Sequence, residues 1–199
     1  PEEKWIATAY ELKSTQAKKI QKPKLVLVGG SSVLFGLSAE KIEKELQIPC
    51  VNFGVHAGMM DYSLERVKQI LAPGDTVFLA MEYEMFWFEP KIAFAPLTMR
   101  ERYLFAYEKE YLRQQSLLDR FNLVVVNGEN LWANIKYKQR DKRSLETGAA
   151  YSADTINDWG DETHHPKGSQ RLDVVKKGRV QFPENFTHRF KEYEGVAIL

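Results

Sequence analysis

Residues Pro23 to Gly36 read Pro-Lys-Leu-Val-Leu-Val-Gly-Gly-Ser-Ser-Val-Leu-Phe-Gly, and this stretch decides the fold. Its unbroken apolar run, Leu25 to Val28, predicts a strand buried on both faces of a parallel sheet. Two glycines and two serines follow the run, and Ser38 then offers an N-cap to a helix predicted over 39–46. Open α/β sheets place their chemistry beyond the carboxyl ends of their strands. A serine at this junction is therefore a candidate nucleophile.

Two more apolar runs predict strands, Cys50 to Phe53 and Thr76 to Met81, with an amphipathic helix between them. Three strands alternating with two helices within about sixty residues predict parallel pairing through right-handed crossovers. Residues 1–22 precede this unit and predict a lead-in helix with a weak apolar stripe. The fold class expected is α/β, with a mainly parallel sheet in a single domain over 1–199.

A long helix is predicted after the third strand. Thr98-Met-Arg-Glu101 forms a capping box, and the helix is expected to run to about Phe121. Its predicted buried side consists of Leu104, Tyr107, Tyr111, Leu118 and Phe121. The chain ends within another apolar run, Val196 to Leu199, which predicts a core strand and suggests that the parent protein continues further.

Composition narrows the classes of function. The 199 residues carry a formal net charge of +1, which gives no reason to expect a nucleic-acid partner. Cys50 is the only cysteine, so the chain has no internal disulfide and no thiolate metal site, and its apolar neighbours predict a core position. The four histidines include no helix-spaced pair, so a metal site is not expected. No other cofactor is expected either.

No apolar stretch approaches the ~20 residues of a membrane span. The chain opens on Pro1 rather than methionine, which leaves room for an upstream targeting segment or membrane anchor that this chain does not contain.

Two motifs resemble a known family. Gly30-Ser31-Ser32-Val-Leu-Phe-Gly36 resembles the first block of the SGNH (GDSL-like) hydrolases, in which Gly-Asp-Ser is followed four residues later by Gly. That spacing selects Ser32 as the nucleophile position, with Ser31 in place of the usual aspartate. Asn52-Phe-Gly54-Val-His-Ala-Gly58 looks like the second block. In the family, the second-block glycine and the nucleophile supply N–H donors to an oxyanion hole, so Asn52, Gly54 and Gly58 become candidate oxyanion or substrate-binding residues.

The third and fourth blocks of the family differ in how well they match. Met81-Glu82-Tyr83-Glu84 stands where the third block carries Gly-x-Asn, so one side-chain donor is missing or replaced. Asp161-Glu-Thr-His164 is the one literal match to the fourth block, Asp-x-x-His. The resemblance then implies that Ser32 attacks an ester, His164 takes its proton and Asp161 orients the imidazole. The alternative places the true Asp-x-x-His beyond Leu199.

The resemblance, which covers Lys24 to Glu84, also implies a fold, a substrate class and a location. The expected fold is a three-layer α/β/α domain of flavodoxin-like topology. The expected function is an ester hydrolase or O-acyltransferase acting outside the cytoplasm on a small-molecule or glycan ester, as in SGNH-like proteins of bacterial polysaccharide modification. The alternative is a non-catalytic SGNH-like module that binds glycan or an assembly partner.

Other interpretations of the same residues stay open. Ser31 and Ser32 would also serve simply as helix caps, and the glycine–helix junction would also suit phosphate, although no Gly-Lys-Ser/Thr follows it. Glu82 and Glu84 lie two apart and point the same way, which fits a glycosidase pair or merely solvated or hydrogen-bonded carboxylates. His56 is interpreted as a loop residue with an internal partner.

Overall fold

The computed structural model describes residues 2–59, 62–82, 99–120, 152–164 and 197–198. Its strands are β1 (Leu25–Gly29), β2 (Cys50–Asn52), β3 (Thr76–Ala80) and β4 (Ala197–Ile198). They form one four-stranded sheet of order β2-β1-β3-β4 in which every neighbouring pair is parallel. The chain is therefore a mixed α/β protein with a small parallel sheet, as the alternation of strands and helices predicts.

Six helices have both ends within the described ranges, and residues 117–120 are also helical. They are α1 (Glu2–Lys19), α2 (Ser31–Gly36), α3 (Ala39–Leu46), α4 (Tyr62–Lys68), α5 (Met99–Tyr107) and α6 (Lys109–Gln114), with 3₁₀ turns at Ala57–Met59 and Ala153–Thr155. The lead-in helix and the helix over 39–46 are confirmed, and the Ser38 side chain accepts the Lys41 N–H as the predicted cap. None of these helices combines the length and apolarity that a membrane crossing requires.

The central strand β1 decides where the site lies. From β1 the chain moves to β2 on one side and then crosses to β3 on the other side. This reversal makes a crevice between the carboxyl ends of β1 and β3, the usual ligand position in open parallel sheets. Gly29 is in register with Ala80, so both strands end at the same level. The residues that follow Gly29 and Ala80 consequently face each other.

The apolar side chains of β1 alternate between two clusters. Val26 and Val28 belong to the larger cluster, which includes the side chains of α1, α4 and α5. Leu27 belongs to a smaller cluster with Val33 of α2 and Cys50. Successive side chains of a strand point to opposite faces, so helical residues contact both faces of β1. Cys50 is 1% exposed, which confirms its core position, and burial raises the pKa of its thiol to about 12.

The single helix predicted from Thr98 to Phe121 is wrong in the described part. It divides at Glu108, whose φ of −115° and ψ of 50° separate α5 from α6. The Glu108 carboxylate accepts hydrogen bonds from the Tyr103 hydroxyl at 2.7 Å and from Arg66 at 3.2 Å. Because these two hydrogen bonds hold the Glu108 side chain against Tyr103 and Arg66, the chain turns where the local pattern would continue a helix.

Some predicted core positions also prove exposed. Leu104 is buried as expected, but Tyr107 is 45% and Leu118 is 67% exposed. The division of the helix explains Leu118, since residues after Glu108 no longer follow the α5 periodicity, whereas Tyr107 is the last residue of α5 itself. Strand β3 is also less buried than its apolar run predicts, because Phe78 is 39% exposed.

Candidate functional site

Ser32 lies at the carboxyl end of the central strand. Strand β1 ends at Gly29, and α2 begins directly afterwards at Ser31 with Gly30 as its N-cap. The sequence predicts the first helix after β1 only from residue 39, whereas the structure makes Ser32 the second residue of a short helix before it. Its side chain is exposed to solvent. A hydroxyl is therefore presented at the rim of the sheet.

A carboxylate accepts hydrogen bonds from the backbone N–H groups beside this hydroxyl. Glu82 Oε2 accepts the Gly30 N–H and Oε1 accepts the Ser32 N–H, each at 2.9 Å. We call these two N–H groups the amide pair. Glu82 follows β3 and so reaches across the crevice between β1 and β3. Of the interpretations open for this residue, the hydrogen-bonded carboxylate is confirmed, while Glu84 lies outside the described residues.

The loop after β2 also approaches Gly30 closely. A Cβ added to Gly30 would contact the Glu82 carboxylate and lie 2.7 Å from Ala57 Cα. Backbone from the β1–α2 junction, the loop after β2 and the end of β3 therefore meet at Gly30. Only glycine leaves enough space for that approach.

Asn52 and Gly54 have partners inside the protein. The Gly54 N–H, an oxyanion donor by the resemblance, donates instead to Asn52 Oδ1 at 3.0 Å. Asn52 Nδ2 donates to the Val33 and Leu37 carbonyls at 3.1 and 3.0 Å. Asn52 is fully buried, so it fastens α2 to the end of β2 and does not face the solvent-exposed rim.

Gly58 and His56 form a similar internal contact. The Gly58 N–H donates to His56 Nδ1 at 2.9 Å, which gives His56 an internal partner as expected for a loop residue. Gly58 thereby has its amide satisfied within the loop after β2.

Asp161 binds the start of α3. Its Oδ1 accepts the Ala39 N–H at 2.7 Å, and its Oδ2 accepts the Ser38 hydroxyl at 2.9 Å and the Glu40 N–H at 3.1 Å. Asn52 Nδ2 adds a contact at 3.2 Å. The carboxylate therefore supplies the acceptors that the first amides of a helix lack, and its charge suits the positive end of the helix dipole.

His164 is separate from this network. It is exposed, and its backbone N–H donates to Glu162 Oε1 at 2.9 Å. Among the described hydrogen bonds none joins Asp161 to the His164 imidazole, and none joins either residue to Ser32. The structure thus brings Ser32 together with Glu82, and Asp161 together with α3. His165 and His188 lie outside the described residues.

One residue near the site was missed from the sequence. Lys13 of α1 is 0% exposed, and its Nζ donates to the Gly54 carbonyl at 2.6 Å. Burial lowers the pKa of Lys13 to about 7, against the opposing charges of Asp161 and Glu162. A signal for it existed, because position 13 falls on the helical stripe of the buried residues Ile6, Ala9, Tyr10 and Ala17.

In the described residues, no metal-ligand cluster lies at the amide pair, and one cavity lies away from it. Within the described ranges, no three His, Cys, Asp or Glu side chains gather as a metal site would require. A cavity of about 330 Å³ lies at the opposite ends of the strands, lined partly by Lys24 and Asp75, which precede β1 and β3. Lys24 and Asp75 form a buried ion pair with each other. That cavity is therefore not continuous with the amide pair.

Comparison of the chain with protein-family models, with curated proteins and with solved structures finds no match. Membership of the SGNH family consequently stays a prediction that depends on the two motifs at 30–36 and 52–58.

Proposed function

We propose that this chain is an SGNH-like serine ester hydrolase or O-acyltransferase with Ser32 as its nucleophile. One observation carries the proposal: an exposed serine hydroxyl sits on a residue whose own N–H already holds a carboxylate oxygen at 2.9 Å. Acyl transfer needs a nucleophile and N–H donors for the developing oxyanion at a single point. Ser32 offers both, at the end of the sheet where open α/β folds place their ligands.

In the proposed reaction, the amide pair supplies the oxyanion donors that the resemblance assigns to the second-block glycine. Ser32 Oγ attacks the ester carbonyl, and the carbonyl oxygen takes the Ser32 N–H from Glu82 as it becomes an oxyanion. The C–O bond to the alcohol then breaks, the alcohol leaves with the proton, and an acyl-Ser32 ester forms. Water regenerates the serine in a hydrolase, and an acceptor hydroxyl does so in a transferase.

The proton needs a base, for which the resemblance offers His164. Because the Asp161 carboxylate is engaged at α3, His164 would act without that orienting partner.

The proposed fold and substrate follow from the same resemblance. A three-layer α/β/α domain of flavodoxin-like topology is supported by the strand order β2-β1-β3 and by the helical contacts on both faces of β1. The proposed substrate is an acylated cell-surface carbohydrate met outside the cytoplasm, and this part depends on the resemblance alone.

A second candidate is a non-catalytic SGNH-like module that binds glycan or a partner protein. The contacts of Glu82 and Asp161 favour it, because the Glu82 carboxylate fills the amide pair and the Asp161 carboxylate binds the start of α3. In such a module, Ser31 and Ser32 would serve only to start α2.

A fluorophosphonate probe, which labels activated serines, tests the choice. We expect the wild-type protein to be labelled on the peptide containing Ser32, Ser32→Ala to lose that label, and the matched variant Ser31→Ala to keep it. Mass spectrometry of the digested protein locates the label. Equal labelling of wild type and Ser32→Ala would remove Ser32 as the nucleophile, and an unlabelled wild type would favour the non-catalytic module.

The same assay tests the part given to Glu82. The Ser32 N–H can donate to an oxyanion only in the fraction of molecules in which Glu82 has left the amide pair. If Glu82 holds the amide pair about nine-tenths of the time, Glu82→Ala should be labelled about tenfold faster than wild type. Glu45→Ala, which removes an exposed carboxylate on α3, is the control and should leave the rate unchanged. Slower labelling of Glu82→Ala would contradict this assignment and identify Glu82 as a proton acceptor.

A further inference from the structure

A buried ammonium lies beneath the loop that follows β2. Lys13 lies on α1, 41 residues before Gly54, and its Nζ donates to the Gly54 carbonyl at 2.6 Å. Burying a charged group is unfavourable unless it is well paired, and methionine would fill a similar volume without that penalty. The presence of a lysine at a position that is 0% exposed therefore needs a reason beyond packing.

Gly54 connects this ammonium to α2. Its carbonyl binds Lys13 and its N–H binds Asn52, so both of its polar groups are fixed. A Cβ added to Gly54 would lie 2.7 Å from Leu34 N and 2.8 Å from the Val33 side chain. Gly54 is thus pressed against the first turn of α2, beside Ser32.

We propose that Lys13 is a positioning residue for Ser32. Its ammonium fixes the Gly54 peptide, Gly54 supports the first turn of α2, and that turn aims the Ser32 hydroxyl and N–H into the crevice. Lys13 touches none of the reacting atoms and acts only through Gly54. The inference rests on the proposed function, since it concerns the aim of the same nucleophile.

The charge of Lys13 makes its contribution depend on pH. The charged groups that face it are Asp161 and Glu162, and burial nevertheless lowers the Lys13 pKa to about 7. Below that pH the bond to Gly54 is charge-assisted, and above it a neutral amine donates a weaker bond. The benefit of Lys13 to Ser32 should therefore be greatest at low pH and decline as the pH rises through 7.

The test compares rate constants for fluorophosphonate labelling of Ser32 in wild type and Lys13→Met across this pH range. At a pH of about 6 we expect the wild type to react about 10²-fold faster, the cost that a 1 Å misplacement can carry. By a pH of about 9 the ratio should fall clearly, and taking the ratio cancels the titration of groups common to both proteins. Lys18→Met, on the exposed side of α1, is the control and should give a ratio of one throughout.

Circular dichroism of each variant at each pH confirms that only folded protein is compared. Lys13→Gln, which keeps a hydrogen-bond donor without a charge, provides a second variant and should show the same loss at low pH. A ratio above one that does not change with pH would make Lys13 a packing residue and overturn the proposal, as would a ratio of one at every pH.

Hydrogen–deuterium exchange separates a failure of this proposal from a failure of the proposed function. In Lys13→Met, peptides covering 53–58 and 31–36 should exchange faster than in wild type, while a peptide covering α4 should not change. If the wild type proves unlabelled, the hydrolase proposal fails, but exchange still decides whether Lys13 holds α2. Unchanged exchange over 31–36 would overturn the positioning role whatever the labelling result.

Discussion

Asp161→Ala is expected to lower the free energy of unfolding by about 3 kcal/mol, the range for removing a buried charged acceptor from several donors. The Asp161 carboxylate is buried and accepts the amides of Ala39 and Glu40 together with the Ser38 hydroxyl. The first amides of a helix have no partner within the helix itself. After truncation they would lie beneath the segment 152–164 without an acceptor.

Urea denaturation followed by circular dichroism measures this loss. Asp158→Ala changes an exposed carboxylate in the same segment and should stay within about 0.5 kcal/mol of wild type. Asp161→Asn keeps the shape and one acceptor oxygen, so an intermediate loss is expected. The contrary result is an Asp161→Ala protein of wild-type stability that no longer labels at Ser32, which would restore the orienting role that the resemblance implies.

The behaviour of Asp161 shows where sequence patterns stop being informative. The motif Asp161-Glu-Thr-His164 matches a catalytic pair by spacing, but its carboxylate binds Ala39, 122 residues earlier in the chain. No local pattern encodes such a contact. The Glu82 contacts with the amide pair likewise span 52 and 50 residues, and they arise because β1 and β3 end in register.

What the sequence does encode is local. The apolar run of β1, the cap at Ser38 and the helix over 39–46 each depend on neighbouring residues, and each is found in the structure. The helix predicted from Thr98 fails at Glu108, where bonds to Tyr103 and Arg66 override the local preference. Lys13 is an intermediate case. The apolar stripe of α1 predicts that its position is buried, but no local pattern predicts its bond to the Gly54 carbonyl.

Gly29→Ala is the substitution expected to disturb the crevice itself. Gly29 is the last residue of β1 and pairs with Ala80 of β3. A Cβ at this position would overlap the Ala80 carbonyl oxygen and the Val33 side chain. Since the Ala80 oxygen belongs to a paired strand, it cannot rotate away as a side chain would. Overpacking of this kind costs about 3 kcal/mol in the free energy of unfolding, and more where backbone must move.

The effect should reach the site because the same Cβ overlaps the Val33 side chain of α2, the helix that carries Ser32. We therefore expect Gly29→Ala to unfold at lower urea and, while still folded, to label at Ser32 more slowly. Gly36→Ala is the matched control, because nothing lies within 4 Å of a Cβ there. Alanine at that helical position should be neutral or stabilise by up to about 1 kcal/mol. Equal stability of the two variants would mean that β1 and β3 are not packed as closely as this crevice requires.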